Sequence, residues 1–287
     1  PARTTPRTCP AGRATPGVER VDGGSYRRTV QLDGRAGWIS IRRDGMAGPH
    51  QLKVSVSDSL VPALMPLLAR IRRLLDLDAE PHVIDGHLRR DPRLAPLVER
   101  LPGLRVPGCI DGFELAVRAV LGQQVSVRGA TTMAGRLAAA FGTPTPFTVP
   151  GLTRLPVQAE RLATAEPADV RAIGLPMSRA RTLVLLARAV VDGTVRLAPT
   201  PDPAETLASL EAVPGIGPWT ARYIAMRALR WPDAFPSTDL GLRRALGERD
   251  LERASEPWRP WRAYAAMHLW EHLAEKVKDS DASHVLQ

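Results

Sequence analysis

Cysteine and long apolar runs are both scarce in this chain of 287 residues. Its two cysteines, Cys9 and Cys109, are too few for a disulfide framework, a four-thiolate zinc site or an iron–sulfur cluster. No apolar run approaches the roughly 20 residues that span a bilayer, and no secretion signal is visible. These absences argue against a disulfide-stabilised secreted protein and predict a cytoplasmic one.

Acidic residues are also in short supply. The chain has 30 Asp and Glu against 39 Lys and Arg, a formal net charge of +9, and its pI is about 10.6. Such an excess favours a polyanionic partner, nucleic acid first and an anionic membrane surface second. A proteome rich in Arg and Ala would produce the same excess, so charge alone leaves the partner open.

Composition and periodicity divide the chain into three parts. Residues 1–17 are rich in Pro, Arg, Thr and Gly and lack an initial Met, which predicts a disordered lead-in at a truncation or fusion boundary. Residues 18–80 predict a β-rich domain. The remainder of the chain becomes all-α from about residue 107.

The β-rich domain is predicted from a hairpin signal and alternating apolar residues. Asp33-Gly34 is typical of a hairpin turn, and Leu52, Val54 and Val56 alternate as a further strand. A helix from Leu60 to about Leu75, capped by Asp58 or Ser59, would back the sheet. The two hairpin strands are Tyr26–Leu32 and Gly37–Ile41.

From about Pro107 onward the pattern predicts only helices, separated by Gly- and Pro-containing breaks. The predicted helices are Ile110–Leu121, Ser126–Phe141, Pro156–Ala163, Pro167–Ile173, Met177–Val191, the pair described next, and a last long one from near Pro257.

The pair is a helix–hairpin–helix centred on PGIGP at 214–218. Asp202, Pro203 and Glu205 predict a capped first helix, and Pro218 can begin the second. Gly215 and Gly217 have no side chain, so this loop can press its backbone against a partner. The N–H groups that begin the second helix suit a phosphate. The alternative is an ordinary corner between two helices.

Asp239 is the candidate catalytic residue. It lies near the start of a predicted helix, whose dipole stabilises a negative charge there. An ionised carboxylate can deprotonate water or stabilise a cationic transition state. Trp219, Tyr223 and Trp270 are candidate pocket aromatics, because electron-rich rings attract a cationic ring. The alternatives are a simple helix cap for Asp239 and core positions for the aromatics.

Gly122-Gln123-Gln124 joins two predicted helices. This loop could be pushed into a duplex, or it could be an ordinary turn between helices.

His268 and His272 match H-x-x-E-H, a zinc-peptidase pattern. Because a third ligand is hard to find downstream, a surface histidine pair is favoured and no zinc is expected.

Taken together, several stretches resemble the 3-methyladenine DNA glycosylase II family, the alkylbase-removing branch of the helix–hairpin–helix DNA glycosylase superfamily. They are VPGCIDGFELAVRAVLGQQVSV (106–127), LPMSRARTLVLLARAVVDG (175–193), LEAVPGIGPWTARYIAMRAL (210–229), DAFPSTDLGLRR (233–244) and WRPWRAYAAMHLW (258–270). The resemblance covers residues 18–273. It implies an α+β protein, with an N-terminal antiparallel β/α domain of TATA-binding-protein-like topology followed by mostly α helix–hairpin–helix domains. Two helical domains would enclose a cleft: one combines 81–107 with 231–287 and carries Asp239, and the other spans 108–230 and ends in the helix–hairpin–helix.

The resemblance also implies a function: excision of alkylated, cationic purines such as 3-methyladenine from double-stranded DNA by N-glycosidic bond hydrolysis, in base excision repair. The protein would be a monomer that associates with the nucleoid through DNA. In some bacteria this enzyme is fused behind an alkyl-transfer regulator.

Individual residues match the family's functional positions. Asp239 matches the catalytic aspartate, and Trp219, Tyr223 and Trp270 match the aromatics of the base pocket. The carbonyls of Glu211, Val213 and Ile216 match those that hold a monovalent cation, Na⁺ or K⁺. Expected DNA contacts come from Gln123, Gln124, Gly215, Gly217 and Thr220. Gln124 stands where the best-known member has an apolar wedge, and a glutamine could fill the gap left by a flipped base.

The chain has only three lysines, and the position of lysine distinguishes the lyases of this superfamily from glycosylases without lyase activity. Its lyases carry a Schiff-base lysine just after the hairpin, where this chain has Trp219, and the three lysines are Lys53, Lys276 and Lys278. A glycosylase without lyase activity is therefore predicted. A non-catalytic helix–hairpin–helix DNA-binding module is the competing hypothesis.

Overall fold

The chain begins with a four-stranded antiparallel sheet backed by a helix. The computed structural model describes residues 11–43, 51–200 and 202–285. The strands are β1 (Glu19–Asp22), β2 (Ser25–Leu32), β3 (Arg35–Arg43) and β4 (Leu52–Val56), paired in the order β1-β2-β3-β4. The predicted turn at Asp33-Gly34 is confirmed: both residues have positive φ, 50° and 72°, as a two-residue hairpin requires. Strand β1 was not predicted as a separate strand, although it lies in the region predicted to be β-rich.

The helix behind the sheet is α1, Leu64–Leu74. The predicted cap at Asp58 or Ser59 is wrong, because a 3₁₀ turn, Asp58–Ala63, precedes α1, and neither helix start has a side-chain cap. The Ser59 hydroxyl instead donates to the carbonyl of Ala36 (2.7 Å) and ties the turn to β3.

Most of the remaining chain is helical, as predicted. The helices are α2 (Pro81–Leu88), α3 (Ala95–Arg100), α4 (Gly112–Leu121), α5 (Val127–Phe141), α6 (Ala159–Ala163), α7 (Pro167–Arg171), α8 (Met177–Val191), α9 (Pro203–Ala212), α10 (Pro218–Arg227), α11 (Leu240–Leu246), α12 (Leu251–Ser255) and α13 (Arg262–Val285). Side-chain caps fix several starts: Asp111 accepts from the Glu114 amide, Ser126 from that of Gly129, and Asp202 from that of Ala204. The Asp202 cap therefore acts at the second helical residue.

Two predictions for this region are wrong. A short hairpin of β5 (Pro144–Val149) and β6 (Leu152–Arg154) interrupts the helices, with Gly151 at φ 82° in its turn. The last long helix begins at Arg262 rather than near Pro257, because a separate 3₁₀ turn, Glu256–Trp258, comes first. Pro260, which has no N–H to donate, lies between the two helices.

The predicted disordered lead-in is also wrong for residues 11–17, while residues 1–10, including Cys9, lie outside the described residues. This segment packs on the helical part of the chain. Thr131 donates to the carbonyl of Gly12 (3.0 Å), and Arg118 donates to the Thr15 hydroxyl (2.9 Å).

Three apolar clusters form the core. One lies between the sheet and α1, the second joins α2 and α3 to the C-terminal helices, and the third is built mainly from α4, α5, α8 and α9. Helix α10 packs into both helical clusters: Ala221 and Ile224 belong to one, Ala225 and Met226 to the other. It thus forms the wall between them. The domain boundaries remain a prediction. Across the described ranges, every helix is too short or too polar to cross a membrane.

Candidate functional site

The hairpin between α9 and α10 follows the predicted pattern. Helix α9 ends at Ala212, and Gly217 is the N-cap of α10. The amide of Ile216 donates to the carbonyl of Val213 (3.0 Å), which closes the turn, and Gly215 has φ 93°. Among the described residues, the amides of Gly217, Trp219 and Thr220 have no acceptor, as expected at a helix start. These groups are available to an anion.

The loop between α4 and α5, which contains Gln123 and Gln124, supports this hairpin. The Gln123 side chain donates to the carbonyl of Gly215 (3.0 Å) and to the Thr220 hydroxyl (3.1 Å). Thr220 is buried, with 4% of its surface exposed. The side chains of Gln123 and Thr220 therefore hold the hairpin in place, and their contact with DNA stays a prediction.

Gln124 lies at the tip of the loop between α4 and α5. It is exposed and has φ 54°, a left-handed conformation that is uncommon outside glycine. The next residue, Val125, exposes 42% of its surface. Arg179 from α8 donates to the Gln123 carbonyl (2.6 Å), which supports the base of the loop.

Asp239 is the N-cap of α11 and is half-buried. One of its oxygens accepts from the Leu242 amide (2.7 Å), and the other accepts from the indole N–H of Trp219 (2.7 Å). Two donors from different helices therefore orient the carboxylate. Because each carboxylate oxygen has two lone pairs, one on each oxygen remains for another partner.

The three predicted aromatics form one cluster beside Asp239. Trp219 and Tyr223 stack with ring centroids 5.3 Å apart and planes 8° apart. Trp270 from α13 lies 6.4 Å from Tyr223 at 55°. Trp219 and Tyr223 are four residues apart on α10 and share a face, whereas packing of α13 brings Trp270 to them.

Arg227 is the member of this cluster that sequence reasoning missed. It donates to the Tyr223 hydroxyl (2.5 Å) and lies 5.5 Å from the centre of that ring. Burial raises the pKa of the Tyr223 phenol, but the charges of Arg227, Arg13 and Arg118 and the hydrogen bond from Arg227 together outweigh burial, so the pKa is lowered. The continued spacing of four from Trp219 through Tyr223 to Arg227 could have revealed it.

The hairpin carbonyls proposed for a cation differ in their partners. The Val213 carbonyl accepts from Ile216, whereas those of Glu211 and Ile216 have no hydrogen-bond donor among the described residues. Carbonyl oxygens are suitable ligands for hard cations. The carbonyls of Glu211 and Ile216 can therefore accept a ligand, and a monovalent cation here stays a prediction.

The H-x-x-E-H pattern lacks the geometry of a metal site. His268 is buried, with 1% exposed, and burial lowers its pKa to about 4. His272 instead pairs through Nδ1 with Arg100 (3.1 Å). Within the described ranges, no group of three or more His, Cys, Asp or Glu side chains could hold a metal ion.

Comparison with known proteins relates most of the chain to one group. Residues 10–111 match the model of the AlkA N-terminal domain, and residues 117–258 match that of the HhH-GPD superfamily base excision DNA repair proteins.

Two curated relatives and one solved structure are similar over most of the chain. A probable bifunctional transcriptional activator/DNA repair enzyme AlkA of Mycobacterium tuberculosis is 43% identical over 93% of this chain and 54% of its own length. This chain thus spans about half of that relative. DNA-3-methyladenine glycosylase 2 of Escherichia coli is 35% identical over 91% of this chain and 90% of its own. A 3-methyladenine DNA glycosylase from Archaeoglobus fulgidus shares the fold, with a TM-score of 0.72 at 23% identity over 89% of each chain.

The order of sheet, helical clusters and hairpin agrees with both family models. The chain belongs to the HhH-GPD superfamily of base excision DNA repair proteins and carries an AlkA N-terminal domain.

Proposed function

We propose that this chain is a monofunctional DNA glycosylase that excises alkylated, cationic purines such as 3-methyladenine from duplex DNA. The observation that carries the proposal is the hydrogen bond from Trp219 to Asp239, which joins an aromatic stack to a carboxylate. The relative from Escherichia coli, a DNA-3-methyladenine glycosylase by name, supports the same activity.

The aromatic cluster accounts for the choice of base. Electron-rich faces of Trp219, Tyr223 and Trp270 attract a cationic purine by up to about 2 kcal/mol when water is excluded. The base must leave the duplex to reach them, and flipping is cheapest for a damaged or badly stacked base. An alkylated, cationic base is therefore favoured at two steps: it costs less to flip, and it is attracted to the aromatic faces.

Asp239 carries the chemical step. An alkylated purine that already bears a positive charge is a good leaving group and needs no general acid. As its bond to the sugar breaks, positive charge develops on the sugar, and the Asp239 carboxylate stabilises that charge or guides water to it. Trp219 and the Leu242 amide fix the direction of the carboxylate before the substrate arrives.

The hairpin holds the DNA backbone. The unpaired amides of Gly217, Trp219 and Thr220 at the start of α10 suit a phosphate. A Na⁺ or K⁺ ion held by the carbonyls of Glu211, Val213 and Ile216 would add positive charge beside that phosphate. Exposed Gln124 reaches into the space left by the flipped base.

The same proposal includes absence of lyase activity, because Trp219 stands where lyases have a Schiff-base lysine. The enzyme works as a monomer in the cytoplasm on nucleoid DNA. The alternative, a non-catalytic DNA-binding module, has one observation in its favour: Asp239 does cap α11.

Release of free 3-methyladenine from methylated duplex DNA tests the proposal, with the wild type beside Asp239→Asn. Asparagine still caps a helix, so the variant folds, and release should fall by about 10²–10³-fold. Asp250→Asn is the matched control, since Asp250 also caps a helix, through the Arg253 amide (3.1 Å). It should release base like the wild type.

The binding-module alternative makes a different prediction. The wild type would then bind duplex DNA and release no base, and Asp239→Asn would bind equally well. Strand cleavage at the abasic product would contradict the absence of lyase activity.

A further inference from the structure

A cavity of about 130 Å³ lies beside the C-terminal end of α10. This is roughly ten times the space that one water needs. Four arginines line it: Arg70 and Arg73 from α1, Arg227 from the end of α10, and Arg230 from the segment that follows α10. Arg227 is the residue that bonds the Tyr223 hydroxyl, so the cavity adjoins the aromatic cluster.

Positive charge in the cavity exceeds negative charge among the described residues. Asp111 is the one carboxylate among the residues that line the cavity, and it lies 3.9 Å from Arg70. Arg230 forms an ion pair with buried Asp76. The Arg73 guanidinium has no hydrogen-bond or ion-pair partner within the described part of the chain, so its charge is the one left for a ligand.

Arg230 ties two parts of the cavity wall together. It has φ 60°, a left-handed conformation that is uncommon outside glycine. Its guanidinium donates to the carbonyls of Arg73 and Val106 (both 3.2 Å), which holds α1 against the segment that follows α10. The backbones of Arg73 and Arg230 are therefore held together before any ligand binds.

A helix start adds partial positive charge at the same place. Gly112, the first residue of the ten-residue α4, lines the cavity. The Asp111 carboxylate already accepts from the Glu114 amide at this helix start, whereas the amides of Gly112 and Phe113 have no acceptor among the described residues. Such amides favour an anion. In contrast, the Cys109 thiol at the rim is kept neutral, because burial raises its pKa to about 12.

From this combination we propose that the cavity binds a phosphate oxyanion. Guanidinium groups form paired hydrogen bonds with tetrahedral phosphate oxygens, and the volume admits one phosphate with a few waters. The phosphate could belong to a free anion or to the DNA backbone. The second source rests on the proposed function, whereas the first does not.

Titration with inorganic phosphate at constant ionic strength tests the free anion, by calorimetry on the wild type, Arg73→Gln and Arg72→Gln. Arg72 is the matched control, because it is the neighbouring residue on α1 and pairs with Asp78 outside the cavity. A lost charge-assisted hydrogen bond weakens binding about tenfold or more. We expect this loss in Arg73→Gln and none in Arg72→Gln.

Binding of the same proteins to undamaged duplex DNA over a salt series tests the second source. If the ligand is a backbone phosphate, Arg73→Gln lowers affinity and reduces the salt slope by about one. If it is a free anion, duplex binding is unchanged while the phosphate titration shifts. The proposal is overturned if Arg73→Gln changes neither titration, or if Arg72→Gln changes them equally. Neither titration measures base release, so failure here leaves the glycosylase test unaffected.

Discussion

Gly215 and Gly217 lie two residues apart in one loop, yet the structure predicts opposite outcomes when each becomes alanine. At Gly215 φ is 93°, and an added Cβ would overlap the Thr182 hydroxyl and lie 3.1 Å from the Thr182 Cβ. At Gly217 φ is −90°, and nothing lies within 4 Å of an added Cβ. The first glycine is therefore required by the fold, and the second leaves open space at the phosphate site.

The cost of Gly215→Ala follows from two terms. A left-handed conformation costs a residue with a Cβ about 1–2 kcal/mol, and forcing an extra carbon into packed surroundings costs about 1–3 kcal/mol. Thr182 cannot turn away freely, because its hydroxyl donates to the Pro214 carbonyl (2.9 Å). We expect the free energy of unfolding to fall by about 2–5 kcal/mol.

Urea unfolding measures this loss as a lower midpoint at an unchanged m-value. Gly217→Ala should stay within about 0.5 kcal/mol of the wild type while weakening duplex binding. Adding Thr182→Ala to Gly215→Ala should recover part of the loss, because the overlapping hydroxyl is gone. Equal destabilisation by both glycine variants, or no coupling between Gly215 and Thr182, would refute the reasoning.

Two further predictions concern the active site and the core. Trp219→Phe keeps an aromatic face but removes the hydrogen-bond donor to Asp239, so base release should slow by about 10–100-fold at unchanged duplex affinity. Trp270→Phe is the control, because Trp270 gives no hydrogen bond to Asp239. Equal slowing in both variants would contradict the role assigned to the Trp219 indole. For His268, the folded-state pKa of about 4 lies below the usual 6.5, so the unfolded state alone takes up a proton as pH falls through this window. The free energy of unfolding should therefore drop by about 3 kcal/mol between pH 6.5 and 4. Urea titrations at each pH measure this loss of unfolding free energy. The loss should disappear in His268→Leu and remain in the control His82→Leu, because His82 is exposed. If the loss remained in His268→Leu, a group other than His268 would be its cause.

Local patterns were enough to predict much of the fold. Helix α8 has the predicted bounds Met177–Val191, and α4 and α5 end where predicted, at Leu121 and Phe141. The turn at Asp33-Gly34 also follows from its own residues. Each of these features depends on neighbours within about one turn or one hairpin, so the sequence carries the information directly.

The predictions from sequence were wrong where a segment has no clear local pattern or is ordered by distant residues. The β5–β6 hairpin is short and contains two prolines among the six residues of Pro144–Val149, so it lacks a clear strand signal. Residues 11–17 have the composition of a disordered segment, but they are ordered by contacts with distant residues such as Thr131 and Arg118. Such contacts have no sequence signature.

For the candidate site, the sequence alone determined the identities and the helical spacing: Trp219 and Tyr223 one turn apart on α10, Asp239 at a helix start, and a glycine hairpin. Tertiary structure decided which of them meet. It brings the Trp219 indole to Asp239, 20 residues away, and assigns the Gln123 side chain to the hairpin, 92 residues from Gly215. The physical reason is that helical spacing is fixed by backbone geometry within a few residues, whereas contacts between helices depend on how the apolar clusters on both sides of α10 pack.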